Sequence, residues 1–342
     1  MVANRENIKK QEFFSGINLL KVMAAIGIVM MHMMQNNNYK IEGFLYNQMI
    51  LSFTDFVFLF MTLSAFGLFC GYYNKYKNNT INWEVFYRKR FNRIFPFFSL
   101  LVIIDLLVSP SFSSMIEGFA DITLLFGFLP DAGNIKVIGV GWFIGLIFVF
   151  YMCFPFLCSI LKNRKQLILS LFISLTWNFL CLGYFNVSRK NILFSAPFFM
   201  VGIIGYFARN RLLKTPIYIS TLLIATTAFV YYKFNNAYIK DFSTICLSFE
   251  LLWFGLSISK LQIFNKEYLF NIIQYLSAIS FDIYLSHMFI FRIIEKLKLN
   301  TIFGTGWTQY LITVIIVLLG SILFSFFIKK IINMFKNKKR KD

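Results

Sequence analysis

The chain alternates between long apolar runs and short polar segments. A transmembrane helix needs about 20 predominantly apolar residues to cross a bilayer. Ten runs come close to that length, so the pattern predicts an all-α, polytopic bundle of about ten membrane spans. Their approximate limits are 17–34, 49–73, 94–109, 140–161, 166–184, 191–208, 216–233, 242–259, 269–292 and 309–332.

One further apolar run, Phe119 to Leu129 (FADITLLFGFL), is too short to span and begins beside Glu117 and Asp121. Counting it as a crossing would place the later basic loops outside. We therefore expect an interfacial or re-entrant segment within an outer loop, 110–139. The remaining polar segments are short, so residues 1–342 are expected to form one transmembrane domain. That domain would carry a cytoplasmic basic loop at 74–93 and a basic cytoplasmic tail at 333–342.

The basic residues are distributed unevenly between alternate loops. Of the 34 Lys and Arg residues, 24 fall in segments on the side of the N-terminus and 8 in the five intervening loops; Lys21 and Arg292 lie inside spans. Cytoplasmic loops of membrane proteins carry such an excess. The pattern predicts that both termini are inside and that the number of spans is even.

The composition agrees with a membrane protein, because 58% of residues are hydrophobic and only 14% are charged. A soluble domain would be nearer 25% charged. The net charge of +19 reports orientation rather than a nucleic-acid partner, since the basic residues alternate between loops. The five cysteines lie in apolar stretches and form no CxxC pair, so neither disulfides nor a metal site is expected.

The first span carries two ionisable residues, Lys21 and His32. Placing a lysine inside a membrane costs roughly 2.5–3.5 kcal/mol on insertion scales, and such residues often mark functional sites. Alternatively, Lys21 extends to the inner interface and His32 lies among the outer headgroups. His287, the other histidine, falls at a similar outer level in span 9 when both spans run outward at 1.5 Å per residue.

A neutral imidazole can act as a general base near neutral pH. Of the acidic residues within spans, Asp55 is our candidate for orienting a histidine; Asp105, Glu250 and Asp282 are weaker candidates. Each of the four also has the alternative of pairing with a polar neighbour across the bundle.

A second polar feature lies just before span 3, where Arg88, Lys89, Arg90 and Arg93 cluster in the segment FYRKRFNRIFP. Arginines beside the positive N-terminal end of a helix form a natural phosphate site. Interaction of these basic residues with anionic lipid is the alternative.

Several segments, in chain order, resemble motifs of the acyltransferase-3 family of membrane acyltransferases. The early ones are Lys21-x10-His32, Asp55-Phe56 through Leu63-Ser64-Ala65-Phe66, and Arg90-x-x-Arg93-Ile94-x-Pro96. The later ones are Trp142-Phe143 with Tyr151 and Pro155, and Ser280-Phe281 with Tyr284-Leu285-Ser286-His287. Many members have Arg at the position of Lys21, and a Glu in the region occupied here by Ile147 and Phe148.

The resemblance implies transfer of an acyl group, usually acetyl, from cytoplasmic acyl-CoA to a hydroxyl of a surface polysaccharide or lipid-linked sugar. It implies a catalytic role for His32. Lys21, the basic residue of the same motif, and Asp55, the candidate for orienting a histidine, complete the predicted catalytic set. The implied contacts of the acetyl-CoA co-substrate are Arg90 and Arg93, with Arg88 beside them. On the same basis we assign substrate binding to Trp142, Tyr151, Tyr284 and His287.

Two mechanisms remain open, general-base attack by the acceptor hydroxyl and a transient acyl-histidine. Either requires a passage from the inner arginines to the outer imidazole. The alternative function is a polysaccharide exporter or flippase without acyl-transfer activity. The expected location is a bacterial cytoplasmic membrane; the pattern leaves the oligomeric state, the acceptor sugar and the acyl chain open.

Overall fold

A computed structural model describes residues 14–135 and 137–338, which contain eleven α-helices and no β-strand. The predicted all-α fold is confirmed. The helices are α1 (Ser15–Gln35), α2 (Phe56–Lys77), α3 (Trp83–Val108), α4 (Phe112–Thr123), α5 (Trp142–Ile160), α6 (Arg164–Gly183), α7 (Ile192–Leu212), α8 (Ile217–Lys233), α9 (Ala237–Ile258), α10 (Glu267–Lys296) and α11 (Trp307–Lys338).

Nine helical segments in the described part of the chain are long and apolar enough to cross a membrane. One of them joins α2 to the short helical turns before it and runs over Leu45–Lys77. The remaining predicted span, 216–233, corresponds to α8, an apolar helix of 17 residues. That length is at the lower end of what crosses a hydrocarbon core. The chain is therefore a multi-pass membrane protein.

Helix α1 lies at the centre of the bundle and packs against α2, α9, α10 and α11. Small residues allow the closest approaches between helices, as is usual in membranes. A Cβ on Gly16 would overlap the Gly255 carbonyl oxygen of α9, and a Cβ on Gly202 of α7 would overlap the Thr62 carbonyl oxygen of α2. Helices α6 and α8 are peripheral, with α6 packed on α7 and α8 on α9.

The expected outer loop 110–139 contains the amphipathic helix α4. Phe112, Met115, Ile116 and Phe119 form an exposed apolar stripe at helical spacing, whereas Asp121 is buried. A helix with one exposed apolar face suits the membrane interface. The helix ends at Leu124, which adopts a left-handed conformation with φ of 60°. The segment thus forms a short helix of its own.

The predicted basic loop 74–93 is wrong in extent, because most of it is helical. Helix α2 continues to Lys77 and α3 begins at Trp83, leaving a turn of only a few residues. The Asn82 side chain accepts a hydrogen bond from the Val85 amide and so caps α3. Arg90 and Arg93 consequently lie inside a helix, well after its N-terminal end. The prediction that a helix N-terminus assists them is also wrong.

The start of the predicted tail 333–342 is also helical, since α11 extends to Lys338. Several residues that determined the predicted orientation lie outside the described residues: Arg5, Lys9, Lys10, Lys136, Lys339, Arg340 and Lys341. The placement of both termini inside remains a prediction from charge.

Candidate active site

A cavity of about 420 Å³ opens between α1, α2, α3, α5 and α10. Its lining residues come from segments far apart in the sequence. They are Lys21, Phe60, Leu63, Ser64, Gly67, Leu68, Lys89, Arg90, Arg93, Ile94, Phe143, Ile147, Tyr151, Ser277, Ser280 and Phe281.

The cavity is strongly cationic. Lys21, Lys89, Arg90 and Arg93 line it, and no Asp or Glu is found among its described lining residues. Four positive groups around one space repel one another unless an anion neutralises them. The structure therefore brings Lys21 of α1 together with the two arginines of α3, as a polyanionic ligand would require. We call this space the basic cavity.

Arg90 is held by aromatic side chains. Its Nη2 donates a hydrogen bond to the Tyr72 hydroxyl (2.9 Å), and its guanidinium lies 5.1 Å from the Tyr72 ring centroid and 5.8 Å from that of Tyr151. Its Nε is buried and has no partner among the described residues. A buried donor without a partner is costly, so an incoming acceptor at this position would be favoured. Arg93 Nη2 donates to the Ala278 carbonyl oxygen (2.7 Å).

The two histidines meet. The imidazole rings of His32 on α1 and His287 on α10 have centroids 5.0 Å apart and are tilted by 38°. His287 is fully buried, whereas His32 is half-buried. A centroid separation of 5.0 Å leaves room for an N–H···N hydrogen bond between the rings.

The backbone selects the tautomer of His287. Its Nδ1 lies 2.5 Å from the Tyr284 carbonyl oxygen. A carbonyl oxygen can only accept, so Nδ1 carries the hydrogen and Nε2 of the neutral ring presents its lone pair. That Nε2 is buried and has no partner among the described residues. His287 therefore offers a fixed proton acceptor close to His32.

Aromatic rings separate the basic cavity from the histidines. Phe60 and Phe143 line the cavity and contact the Tyr284 ring, with centroids 6.2 Å and 5.4 Å away. Tyr284 in turn lies 6.1 Å from His287. Neither histidine is among the described residues that line the cavity. The rings of Phe60, Phe143 and Tyr284 thus form a layer between the basic cavity and the histidines, which we call the aromatic layer.

The predicted substrate contacts Tyr284, Trp142 and Tyr151 lie in different surroundings. The Tyr284 hydroxyl donates to the Val140 carbonyl oxygen (2.7 Å), which fixes the ring in the aromatic layer. Phe143 lines the cavity, and Trp142 packs beside it at 6.5 Å between ring centroids. Tyr151 lies in the cavity, as a substrate contact would.

Arg88 lies away from the basic cavity. It is exposed and faces Glu84 one turn earlier in α3, with 3.6 Å between Nη1 and Oε1. The helix explains the difference, because residues 90 and 93 are three apart and share a face, whereas residue 88 precedes residue 90 by two and points away from it. The structure does not bring Arg88 to the other two arginines.

Asp55 belongs to a separate polar cluster. Its Oδ1 accepts from Arg189 Nη2 (2.7 Å), and its Oδ2 accepts from the Tyr231 hydroxyl (2.9 Å) and from Thr244 Oγ1 (3.3 Å). Within the described residues, no histidine hydrogen-bonds to this carboxylate. The predicted pairing of Asp55 with a histidine is therefore not what the structure shows; Asp55 joins α2 to the loop before α7, to α8 and to α9.

The other acidic residues of the spans also pair across the bundle. Asp282 accepts from Lys329 of α11 (2.8 Å), and Asp105 pairs with Arg292 of α10. Glu250 accepts from Thr227 (2.9 Å). No group of three metal-ligating side chains is found in the described part of the chain, and all five cysteines are free.

Sequence reasoning assigned no role to several residues at the site, although it quoted Ser280 within a motif. Tyr72 holds Arg90, and Ser277 and Ser280 line the cavity. The sequence could have indicated Ser277 and Ser280, because their spacing places them on the same face of α10 as Tyr284. It contains no comparable signal for Tyr72. The sequence did not indicate the partners of Asp55, because Arg189 was interpreted only as a basic residue of an outer loop.

A family model described as "Acyltransferase domain", that of the acyltransferase-3 family, matches residues 14–326 of the 342. No curated protein and no solved structure matches the chain significantly.

Proposed function

The chain belongs to the acyltransferase-3 family and is a membrane acyltransferase, and from that premise we propose that it transfers an acetyl group from cytoplasmic acetyl-CoA to a hydroxyl of a surface polysaccharide or lipid-linked sugar. The proposed location is the cytoplasmic membrane of a bacterium. One observation carries the proposal: α1 and α10 each line the basic cavity in their N-terminal halves and carry one histidine of the pair in their C-terminal halves.

The donor suits the basic cavity by charge. Acyl-CoA carries several phosphate charges, and arginine guanidinium groups bind phosphate through paired N–H donors. Arg90 Nε has no partner among the described residues, and Lys21 of α1 lines the same cavity. In the proposed complex the phosphates lie against Arg90 and Arg93, and the thin pantetheine arm extends past Lys21. Arg88 has no part in this complex, because it is exposed and faces Glu84.

The thioester must then reach the histidines. His32 follows Lys21 by eleven residues on the same helix, a rise of about 16 Å. Between them lies the aromatic layer. In the proposed cycle, donor binding turns Tyr284 or Phe143 aside and so opens the passage. Closure in the absence of donor would exclude water and ions from the bundle.

The chemical step needs one proton acceptor and one oxygen nucleophile. His32 takes the proton of the acceptor hydroxyl while its oxygen attacks the thioester carbonyl carbon; the C–S bond then breaks. The CoA sulfur leaves as a thiolate and receives the proton from the imidazolium. His287 Nε2 has no partner among the described residues. In the proposed step it accepts a hydrogen bond from the second N–H of the His32 imidazolium and stabilises its charge.

An acyl-histidine intermediate is the second route, in which a His32 nitrogen attacks the thioester first. The two routes differ when no acceptor is present. Rapid denaturation at neutral pH, where an acyl-imidazole survives longer than in acid, after incubation with labelled acetyl-CoA leaves label on His32 only if the acyl-histidine forms. General-base transfer leaves the protein unlabelled.

A complementation experiment tests the function itself. In a strain lacking the gene, the wild-type chain restores O-acetyl groups on the surface polysaccharide and His32→Ala does not, with equal amounts of protein in the membrane and of polysaccharide at the surface. Loss of surface polysaccharide with its O-acetyl content unchanged would favour an exporter and contradict the proposal.

A further inference from the structure

A second cationic groove lies apart from the basic cavity. It has a volume of about 530 Å³ and runs between α6 and α7, at the end where α6 begins and α7 ends. Its lining comprises Lys162, Asn163, Arg164 and Arg211 at one end and Leu167, Ile168, Leu171, Ile204, Phe207 and Ala208 along its length. It shares no described lining residue with the basic cavity.

The charge of this groove is uncompensated. None of Lys162, Arg164 and Arg211 has an ion-pair partner within residues 14–135 and 137–338. No Asp or Glu lines the groove in that part of the chain. Three cations that surround one opening favour an anion there, and the partly apolar walls strengthen the attraction relative to open water.

The N-terminal end of helix α6 adds little to the attraction of an anion. The Asn163 side chain accepts from the Gln166 amide (2.9 Å), and the Gln166 side chain accepts from the Asn163 and Lys162 amides (3.2 Å and 3.1 Å). This capping box occupies backbone donors that would otherwise face an anion. An anion in the groove would therefore be held by the cationic side chains.

The groove changes from charged to apolar along the axis of α6. Leu171 follows Arg164 by seven residues on α6, a rise of about 10 Å. Ile168 is 57% exposed on the same stretch, and Ile204 and Phe207 form the opposite wall on α7. A free phosphate or a nucleotide would leave this apolar wall uncovered. A phospholipid would cover it with an acyl chain.

We propose that this groove binds a phospholipid with an anionic headgroup. The phosphate lies between Arg164, Arg211 and Lys162, and an acyl chain lies along Leu171 and Phe207. The cationic side chains favour an anionic headgroup, and the apolar wall favours a ligand that carries an acyl chain. The proposal is independent of acyl transfer, since the basic cavity contributes nothing to it.

Thermal unfolding of the purified full-length protein tests the site. Dioleoylphosphatidylglycerol is titrated into detergent micelles, with dioleoylphosphatidylcholine as the zwitterionic comparison. The anionic lipid should raise the unfolding temperature of the wild-type protein, and the zwitterionic lipid should not. At about 1 kcal/mol for each basic residue near an anionic surface, the double substitution Arg164→Gln with Arg211→Gln should raise the half-saturating lipid concentration roughly 30-fold.

A matched control removes two charges elsewhere. Lys260→Gln with Lys266→Gln leaves the groove intact and should keep the wild-type response. If the double arginine variant does not fold, Arg164→Gln and Arg211→Gln singly should each weaken the response roughly fivefold. An unchanged response in the arginine variants, an equal loss in the lysine control, or full stabilisation by inorganic phosphate alone would each overturn the proposal.

Discussion

His32 and His287 lie with their ring centroids 5.0 Å apart, and the Nδ1 of His287 is bonded to the Tyr284 carbonyl oxygen. The second ring therefore presents an acceptor nitrogen close to the first. In a serine hydrolase an aspartate supports the histidine base. Here Asp55 is bound to Arg189, and the group beside His32 is a second imidazole.

The pair should behave as one unit. His32→Ala should lower the rate of acetyl transfer by about 100-fold or more, as expected for loss of a general base. His287→Ala should lower it by a comparable factor, and the double variant should be no slower than His32→Ala alone. Initial rates of label transfer from acetyl-CoA in membranes measure this. Additive losses would show that the two rings act separately.

Donor affinity should depend on two of the three arginines. Arg90→Ala or Arg93→Ala should weaken acetyl-CoA binding by at least about 10-fold, since a hydrogen bond to a charged group contributes about 1.5–3 kcal/mol. Arg88→Ala is the matched control on the same helix and should bind as the wild type does, because Arg88 is exposed beside Glu84. Isothermal titration measures all three. Equal loss in the control would remove the basic cavity from the donor site.

Asp55 should contribute to stability more than to donor binding. Asp55→Ala removes three hydrogen bonds that join four parts of the bundle, and one of the three is the bond from Arg189. We expect a lower unfolding temperature with unchanged acetyl-CoA affinity, and partial recovery of stability in Asp55→Ala with Arg189→Ala. A variant of wild-type stability with no transfer activity would return Asp55 to the catalytic machinery.

The stability of the fold should depend on pH through Asp121 of helix α4. Burial, assisted by the negative charges of Glu117 and Asp105, raises the pKa of Asp121 to about 8, and the nearby Ile138 amide offsets this only in part. The unfolded chain, with a pKa near 3.8 at this residue, loses its proton first. The folded state thus binds more protons between these values, and stability falls as pH rises from about 4 to about 8.

Asp121→Asn removes that titration. The variant should therefore gain unfolding temperature relative to the wild type as pH rises from 5 to 8, with the two proteins nearest to each other at the acidic end. Differential scanning fluorimetry across this range checks the prediction. Parallel curves would mean that Asp121 does not titrate as described.

The sequence predicted the helices well because each span must carry its own run of apolar residues. It missed the start of α3, where Asn82 caps a polar first turn that resembles a loop. The level of the two histidines followed from the helical rise, since α1 and α10 were both expected to run outward. Which way each residue faces could not be predicted, because helices that are apolar all round have no amphipathic face to orient them.

The candidate site shows the same division. The residues spaced along α1 and α3 indicated a basic region and a histidine, and the structure adds that Lys21, Arg90 and Arg93 share one cavity. The aromatic layer was not predictable, since Phe60, Phe143 and Tyr284 are three among many aromatic residues. Their meeting depends on packing between distant segments.

The central claim is that the donor enters from one face and the acyl group leaves at the other. Sealed membrane vesicles of both orientations, given labelled acetyl-CoA outside, test it most directly with the native acceptor present. Inside-out vesicles should incorporate label into the polysaccharide or lipid-linked fraction, right-side-out vesicles should not, and His32→Ala should abolish the incorporation. Label incorporated only by right-side-out vesicles would contradict the account.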